Sequence, residues 1–426
     1  MSPLYRRVSL RILPILFSCY LVNYIDRVNV SFAKHDLSAA LKLTDTAYGL
    51  GAGLFFIGYF AFQVPSNLML NRIGARRAIA LIILLWGMIS ALGACVHTEN
   101  QFYLQRLLLG ASEAGFFPGV ILYLTTWYPS AIRARVFALF LTAIPVAGLI
   151  GGPLSGFILQ HPPSEGLQNW QWLFILEGIP CLLLALWVFR SLPDRPSDAP
   201  WLSDDEQQTL TTDLQSENPM PAVGAETANS ALKAFLQPLV WKLCLLYFCT
   251  MMGLYALSFW IPAIIKGLGW SGDLQVGLIS AIPWAIAVIF MLWLGGRSDR
   301  QGERRLHASA AAVLSAIGFA CCGFAHNGLL GIVGISLAAA GVMGMMAVQW
   351  SMPGALLRGT AAAAGIALVN SCGNLGGFVS PSLIGKLNEA TKSPASGLYL
   401  TGGFLLFAAV ILYLSPALEP RSKNYA

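Results

Sequence analysis

Long apolar segments separated by short polar ones run along almost the whole chain. A membrane-spanning helix needs about 20 mostly apolar residues, and twelve segments meet that length. The sequence therefore predicts an all-α membrane protein with twelve transmembrane helices in two sets of six. The predicted spans are 11–33, 47–70, 77–96, 101–127, 135–160, 171–190, 239–265, 273–297, 305–325, 328–350, 360–385 and 396–418.

One long polar stretch, residues 191–238, separates the two sets and carries several acidic residues and prolines. Within it, Ser203 is followed three residues later by Glu206, which is the pattern of a helix capping box. A short surface helix is therefore predicted to begin there. The chain divides into an N-terminal six-helix half at 1–190, a cytoplasmic linker at 191–238 and a C-terminal six-helix half at 239–426.

Composition agrees with this reading, because 56% of the 426 residues are hydrophobic and only 11% are charged. Soluble domains carry about 25% charged residues, so a soluble enzyme is excluded. The net charge of +6 reflects Lys and Arg concentrated in the loops on one side, as the positive-inside rule describes. Both termini are predicted in the cytoplasm and the protein in the inner (plasma) membrane, within the lipid bilayer and without a nucleic-acid partner.

The eight cysteines fall in or at the ends of apolar segments, without the spacing of a metal site or a disulfide framework. No metal and no cofactor are expected.

An internal repeat relates the two sets of spans. The basic loop at 71–77 follows the second span, and a similar loop at 299–305 follows the eighth, 228 residues later. The same displacement relates Gly148 to Gly376. Parallel repeats of this kind place a substrate site near the middle of the membrane, between the halves.

Four charged residues lie in the interior of the first and fourth predicted spans: Asp26, Arg27, Arg106 and Glu113. A charge inside a lipid-spanning helix costs about 3 kcal/mol on insertion scales, and such residues usually line a substrate or ion path. Arg106 and Glu113 are seven residues apart, on one helix face and about 10 Å apart along the axis, so the arginine can reach toward the carboxylate. The planar fork of Arg27 suits a substrate carboxylate. A structural ion pair, and for Asp26 and Arg27 a wet helix end, stay open as alternatives.

At the same displacement, the C-terminal half has only uncharged residues in these four positions. It is therefore predicted to supply neutral polar and aromatic contacts to the substrate, although packing between helices explains any one of them equally well. The candidates are Tyr255, Ser258, Trp260, Gln349, Trp350, Asn370, Ser371 and Asn374.

The loop at 295–305, Gly-Gly-Arg-Ser-Asp-Arg-Gln-Gly-Glu-Arg-Arg, resembles the signature of the major facilitator superfamily, Gly-x-x-x-Asp-Arg-x-Gly-Arg-Arg. The first copy departs from it, since Asn71 stands where the acid is usual, so a weaker clasp between helix ends is expected there. The segments at 23–29, 64–67, 110–119 and 365–371 resemble the anion:cation symporter family within that superfamily.

This resemblance implies the fold of that superfamily and a function. Members carry sugar acids, tartrate, phthalate and other aromatic acids, usually with protons. The resemblance also implies roles for individual residues: Asp26 and Glu113 bind protons, Arg106 partners Glu113, and Arg27 contacts the substrate. Tyr24 and Tyr59 match positions that line the cavity.

The sequence thus predicts a monomeric secondary transporter that imports a small organic carboxylate with protons through alternating access. Proton-independent exchange or efflux of an anion is the alternative within transport. An intramembrane enzyme would need a nucleophile and its base inside the spans. The five histidines are expected in loops or at span ends, which disfavours an enzyme.

Overall fold

The structure is a computed structural model that describes residues 2–216, 237–325, 327–356 and 360–418, and within these ranges it contains helices and no strand. The predicted all-α class is confirmed. The helices are α1 Pro3–Leu41, α2 Asp45–Ile73, α3 Ala75–Ala91, α4 Glu99–Glu113, α5 Phe116–Thr125, α6 Ser130–Leu141, α7 Ala143–Gln160, α8 Asn169–Ser191, α9 Asp204–Ser216, α10 Pro238–Gly267, α11 Asp273–Gln301, α12 Arg305–Gly323, α13 Gly328–Gln349, α14 Ser351–Leu356, α15 Thr360–Thr391 and α16 Ala395–Leu414.

Ten helical segments of the described chain are long and apolar enough to cross a membrane. Two further helices, α2 with 29 residues and α15 with 32, coincide with the predicted spans 47–70 and 360–385 and have the length to cross. The fourth predicted span is divided between α4 and α5, and the fifth between α6 and α7. Each of the twelve predicted spans is therefore helical.

Helix α1 is longer than its predicted span of 11–33. It begins after Ser2, whose side chain accepts a hydrogen bond from the Tyr5 N–H, and it ends at Lys42, which adopts a left-handed conformation with φ of 56°. Asp26 and Arg27 consequently lie in the middle of a 39-residue helix, 0% and 8% exposed. The alternative of a wet helix end is wrong.

The side of the molecule that holds Pro3, here called the terminal side, also carries the linker helix α9. The capping box predicted from Ser203 is present: the Glu206 N–H donates to Ser203 Oγ at 3.3 Å, and the Ser203 N–H donates to Glu206 Oε2 at 3.0 Å. Arg7 of α1 donates to both carboxylate oxygens of Glu206, at 3.0 and 3.1 Å. Helix α9 therefore packs on the start of α1. Part of the predicted linker, 217–236, lies outside the described residues.

An acidic residue from elsewhere in the chain contacts the loop between α2 and α3. Asp194, just after α8, accepts a hydrogen bond from the backbone N–H of Arg76 at 2.8 Å, and its other oxygen lies 3.7 Å from Arg76 Nε. In the second copy of the motif, Arg304 lies 3.6 Å from Asp299. The weaker clasp expected from Asn71 is therefore offset by a carboxylate outside the motif.

Helices α2 and α4 approach closely because of glycine. A Cβ atom on Gly110 of α4 would overlap the backbone carbonyl oxygen of Phe55 on α2, and one on Gly58 would overlap the carbonyl oxygen of Leu107. Gly110 lies on the same face of α4 as Arg106 and Glu113, so this contact brings that face against α2.

Helices before and after the linker meet mainly at the ends opposite the terminal side, here called the far side. Helix α7 packs on α11, α2 on α15 and α1 on α10. The Leu274 N–H donates to Gln160 Oε1 at 3.2 Å, and the Thr46 N–H donates to Glu389 Oε2 at 3.0 Å. The molecule is therefore closed at its far side.

Candidate functional site

An ion pair joins α1 to α4 at the centre of the protein. Arg27 donates from Nη2 to Glu113 Oε2 at 2.6 Å and from Nε to the same oxygen at 3.2 Å. The side chains are 10% and 0% exposed. Arg27 Nη2 also donates to Asn23 Oδ1, one turn earlier on α1, at 3.2 Å. Glu113 Oε1 is buried without a hydrogen-bond partner, so the carboxylate depends on Arg27.

Arg106 has a different partner from the one expected. Its Nη2 donates to the backbone carbonyl oxygen of Arg27 at 3.3 Å, whereas its Nε and Nη1 are buried without hydrogen-bond partners. The Phe55 ring centroid lies 4.9 Å from the Arg27 guanidinium and 5.4 Å from that of Arg106. The expected Arg106–Glu113 pair is thus wrong for this conformation, in which Glu113 binds the arginine of a neighbouring helix.

Asp26 faces away from that pair, as the rotation of about 100° between successive helical residues requires. Its Oδ1 accepts hydrogen bonds from the Ser90 hydroxyl on α3 and from Asn29 Nδ2, the latter at 3.2 Å. Its Oδ2 is buried without a partner. Asp26 therefore lies among neutral donors, without a direct ion pair.

Next to Arg27 lies a narrow cavity of about 50 Å³, here called the central cavity. Ligand pockets for small molecules usually measure about 300–1,000 Å³, so this one holds a few water molecules and must widen to admit a substrate. Its walls come from helices on both sides of the linker. Five tyrosines line it: Tyr20, Tyr24, Tyr59, Tyr247 and Tyr255.

Most of the predicted substrate contacts meet at this cavity. Tyr24, Tyr59, Tyr255, Asn370 and Asn374 all line it together with Arg27. Tyr24 hydrogen-bonds to Ser258 across the two sets of helices at 2.9 Å. The Asn374 Nδ2 group is buried without a partner and is available to a ligand.

Two predicted contacts lie elsewhere. Trp260 lines a separate cavity of about 360 Å³ near the far side, where the Lys34 Nζ atom lies 4.1 Å from its ring centroid. Gln349 accepts a hydrogen bond from Thr250 Oγ1 at 2.7 Å and thereby joins α13 to α10. The prediction that these two residues line the substrate site is therefore corrected. Trp260 lies too far along α10 to reach the central cavity. Gln349 joins two helices, whereas its neighbour Trp350 lines the cavity.

Sequence reasoning missed three residues. Tyr20 and Tyr247 line the central cavity, but a tyrosine in an apolar helix carries no signal by itself. Glu177 of α8 is 3% exposed. It is an acid inside a predicted span, and the criterion that selected Asp26 and Glu113 would have selected it too.

This arrangement suits the binding of an anion. A guanidinium group offers planar, paired donors to a carboxylate, and the tyrosine hydroxyls around it both donate and accept hydrogen bonds. The aromatic walls exclude water and so strengthen electrostatic contacts inside the site. In this conformation, Glu113 accepts hydrogen bonds from both Nε and Nη2 of Arg27.

Comparisons with known proteins agree with this picture. The model of the Major Facilitator Superfamily matches residues 16–381. The chain is 42% identical over 425 residues to a "Putative tartrate transporter" of Agrobacterium vitis, covering 98% of this chain and 94% of that one. It is also 42% identical over 416 residues to the "Putative metabolite transport protein NicT" of Pseudomonas putida, covering 97% and 94%.

Among solved structures, that of a D-xylose-proton symporter superimposes with a TM-score of 0.76 at 17% sequence identity, over 97% of this chain and 99% of the other. At this identity the likeness establishes the fold. The family match and the relatives establish more, and they confirm the interpretation as a transporter rather than an enzyme. The chain belongs to the major facilitator superfamily and is a multi-pass membrane transporter.

Proposed function

We propose that this protein imports a small organic carboxylate together with protons. The observation that carries the proposal is the buried Arg27–Glu113 ion pair beside the central cavity. A substrate carboxylate and the Glu113 carboxylate compete for the same guanidinium donors. Binding of substrate therefore separates Glu113 from its only hydrogen-bond partners among the described residues.

This separation couples substrate to protons. A buried carboxylate deprived of its charged partner is destabilised by about 3–5 kcal/mol, and protonation removes that cost. Glu113 accordingly takes up a proton as the substrate binds Arg27, and it releases the proton when the substrate leaves and the ion pair re-forms. Asp26, buried among neutral donors, is the second proton-binding group. Arg106 stabilises both acids electrostatically.

The relatives narrow the substrate class. Two proteins named as putative tartrate transporters are each 42% identical to this chain over 98% of its length. A small hydroxylated or aromatic carboxylate suits a cavity with one arginine, two asparagine amides and five tyrosine hydroxyls, because these groups bind both the carboxylate and neutral polar substituents.

The conformation fits one step of alternating access. The Lys and Arg distribution predicts that both termini lie on the cytoplasmic side of the inner membrane. The far side then faces away from the cytoplasm, and its closure corresponds to an inward-facing transporter. The halves 1–190 and 239–426, acting within a monomer, would then rock about the contacts of α2 with α15 and of α7 with α11.

Proteoliposomes test this function. Tartrate or phthalate added outside should acidify the lumen and accumulate under an inward-directed proton gradient. Glu113→Gln should retain exchange of substrate across the membrane and lose gradient-driven accumulation, whereas Glu99→Gln, on the exposed start of the same helix, should behave like the wild type. Exchange without lumen acidification in the wild type would instead indicate the proton-independent exchanger.

A further inference from the structure

Glu177 is a buried carboxyl group that the ion pair and the central cavity do not use. It lies in the interior of α8, 3% exposed. Its Oε1 accepts a hydrogen bond from the Ser155 hydroxyl of α7 at 2.7 Å. Its Oε2 is buried without a hydrogen-bond partner among the described residues, so an ionised Glu177 would have no donor to stabilise the charge on that oxygen.

Helix α1 packs on both α7 and α8, and its Asp26 is the charged group that interacts electrostatically with Glu177. Asn29 lies beside both acids and donates to Asp26. On α3, the neutral Ser90 donates to Asp26. The other titratable neighbour is Cys181 on α8 itself, whose sulfur accepts from Trp86 Nε1 of α3 at 2.9 Å.

The charge balance of the buried groups leaves Glu177 uncompensated. Among the described residues, the buried carboxyl and guanidinium groups are those of Asp26, Arg27, Arg106, Glu113 and Glu177. Arg27 pairs with Glu113, and Arg106 interacts electrostatically with both Glu113 and Asp26. Three carboxylates face two guanidinium groups, so full ionisation would leave one negative charge in a membrane interior, where an unpaired charge is strongly disfavoured.

We propose that Glu177 is a third proton-binding residue of the transport cycle, protonated in this conformation and able to pass its proton to Asp26 past Asn29. This inference rests on the proposed proton coupling and extends it to a further side chain. In the transfer, the proton leaves Glu177 Oε2 and binds Asp26 Oδ2. Glu177 becomes an anion, Asp26 becomes neutral, and no other reactant is required. The donating oxygen, Glu177 Oε2, and the receiving oxygen, Asp26 Oδ2, both lack a hydrogen-bond partner among the described residues.

Infrared spectroscopy of the full-length protein in lipid nanodiscs tests this directly and needs no substrate. The wild type at neutral pH should show the carbonyl-stretch band of a protonated carboxylic acid. Glu177→Gln should lose that band, whereas Glu165→Gln, at an exposed position, should keep it. Ser155→Ala, which removes the hydrogen bond to Oε1, should shift its frequency. A band that is unchanged in Glu177→Gln would overturn the proposal.

Asp26→Asn tests the link between the two acids. Asp26→Asn leaves two buried carboxyl groups facing two guanidinium groups, so charge balance no longer requires a neutral Glu177, and its band at neutral pH should weaken or disappear. An unchanged band would overturn the exchange with Asp26. If Glu177→Gln fails to fold, Glu177→Asp keeps a carboxyl group and should keep a shifted band, and absence of the band there would also contradict the proposal.

Failure of the proposed function is distinguishable from failure of this inference. A wild-type protein that shows the Glu177 band but carries substrate without protons would contradict the proposed proton symport alone. A protein that performs proton symport, but whose infrared spectrum is unaffected by Glu177→Gln, would contradict this inference alone.

Discussion

The Arg27 guanidinium binds Glu113 through two donors to one carboxylate oxygen, at 2.6 and 3.2 Å. The second oxygen of Glu113 has no hydrogen-bond partner. One arginine therefore determines the charge environment of an acid on another helix while also facing the central cavity. In the proposed mechanism, occupation of the cavity and protonation of Glu113 are linked through that side chain.

Replacing Arg27 by lysine should weaken substrate binding. Lysine keeps the positive charge but lacks the planar paired donors and the contacts with the rings of Phe55 and Tyr59, whose centroids lie 4.9 and 5.6 Å from the guanidinium carbon. We expect Arg27→Lys to raise the Kd for the carboxylate at least about tenfold, which corresponds to roughly 1.4 kcal/mol. Isothermal titration calorimetry measures this. Arg6→Lys, exposed on the same helix, should leave Kd unchanged.

Gly110 should not tolerate a side chain. The Cβ atom of Gly110→Ala would meet the backbone of Phe55, and backbone cannot move aside as a flexible side chain can. Overpacking of this kind costs about 1–3 kcal/mol, so the Tm of the purified protein should fall, and transport should fall because α4 carries Arg106 and Glu113. Gly403→Ala is the matched control. Its Cβ would have no neighbour within 4 Å, and its Tm should be unchanged or higher.

Asp194 should stabilise the start of α3. Gly74 precedes that helix and offers no side-chain cap, so Asp194 supplies the acceptor for the N–H of Arg76. Loss of a helix cap costs about 0.5–2 kcal/mol. Asp194→Ala should therefore lower the Tm, and Asp198→Ala, an exposed acid in the same connection, should not. Equal decreases in Tm for the two substitutions would show that Asp194 acts only through its negative charge and not as a helix cap.

Closure of the far side should depend on pH through Glu389. This exposed acid at the end of α15 accepts hydrogen bonds from the side chain and the backbone N–H of Thr46, and these bonds hold its pKa below the ordinary value. A lowered pKa in the closed state means that ionised Glu389 stabilises closure. That stabilisation is complete above the ordinary Glu pKa of about 4.3 and is lost as pH falls through the lowered value.

Spin labels on the exposed residues Ala40 and Ala390, in a background without the native cysteines, report that closure as a distance. The closed population should decrease in this acidic window for the wild type and for the control Glu165→Gln. Glu389→Gln should abolish the decrease, since its amide does not titrate. A decrease of the same size in Glu389→Gln would assign the pH dependence to another group.

The sequence was sufficient to predict the helices and most of the residues that meet at the centre of the structure. Runs of about 20 apolar residues admit few structures in a membrane, and the cost of burying charge marked Asp26, Arg27, Arg106 and Glu113 as functional candidates. All four are buried at the centre of the structure. Helical geometry also predicted correctly that Asp26 and Arg27 point in different directions.

Contacts between helices were harder to predict. Whether Arg27 or Arg106 reaches Glu113 depends on how α1 and α4 are rotated about their axes, and the close approach of α4 to α2 at Gly110 contributes to that rotation. No spacing within one helix contains this information. Similarly, the position of Trp260 along α10 separates it from the central cavity. The carboxylate that compensates for Asn71 comes from Asp194, which lies outside the repeated loop motif.

Proton uptake on substrate binding tests the central claim most directly. Isothermal titration calorimetry in two buffers of different ionisation enthalpy should be performed with the carboxylate that stabilises the protein most in a thermal-shift screen. If substrate displaces Glu113 from Arg27, wild-type protein should take up about one proton per bound molecule near neutral pH, and Glu113→Gln should bind with about one proton fewer. Equal proton uptake by the two proteins would contradict the account.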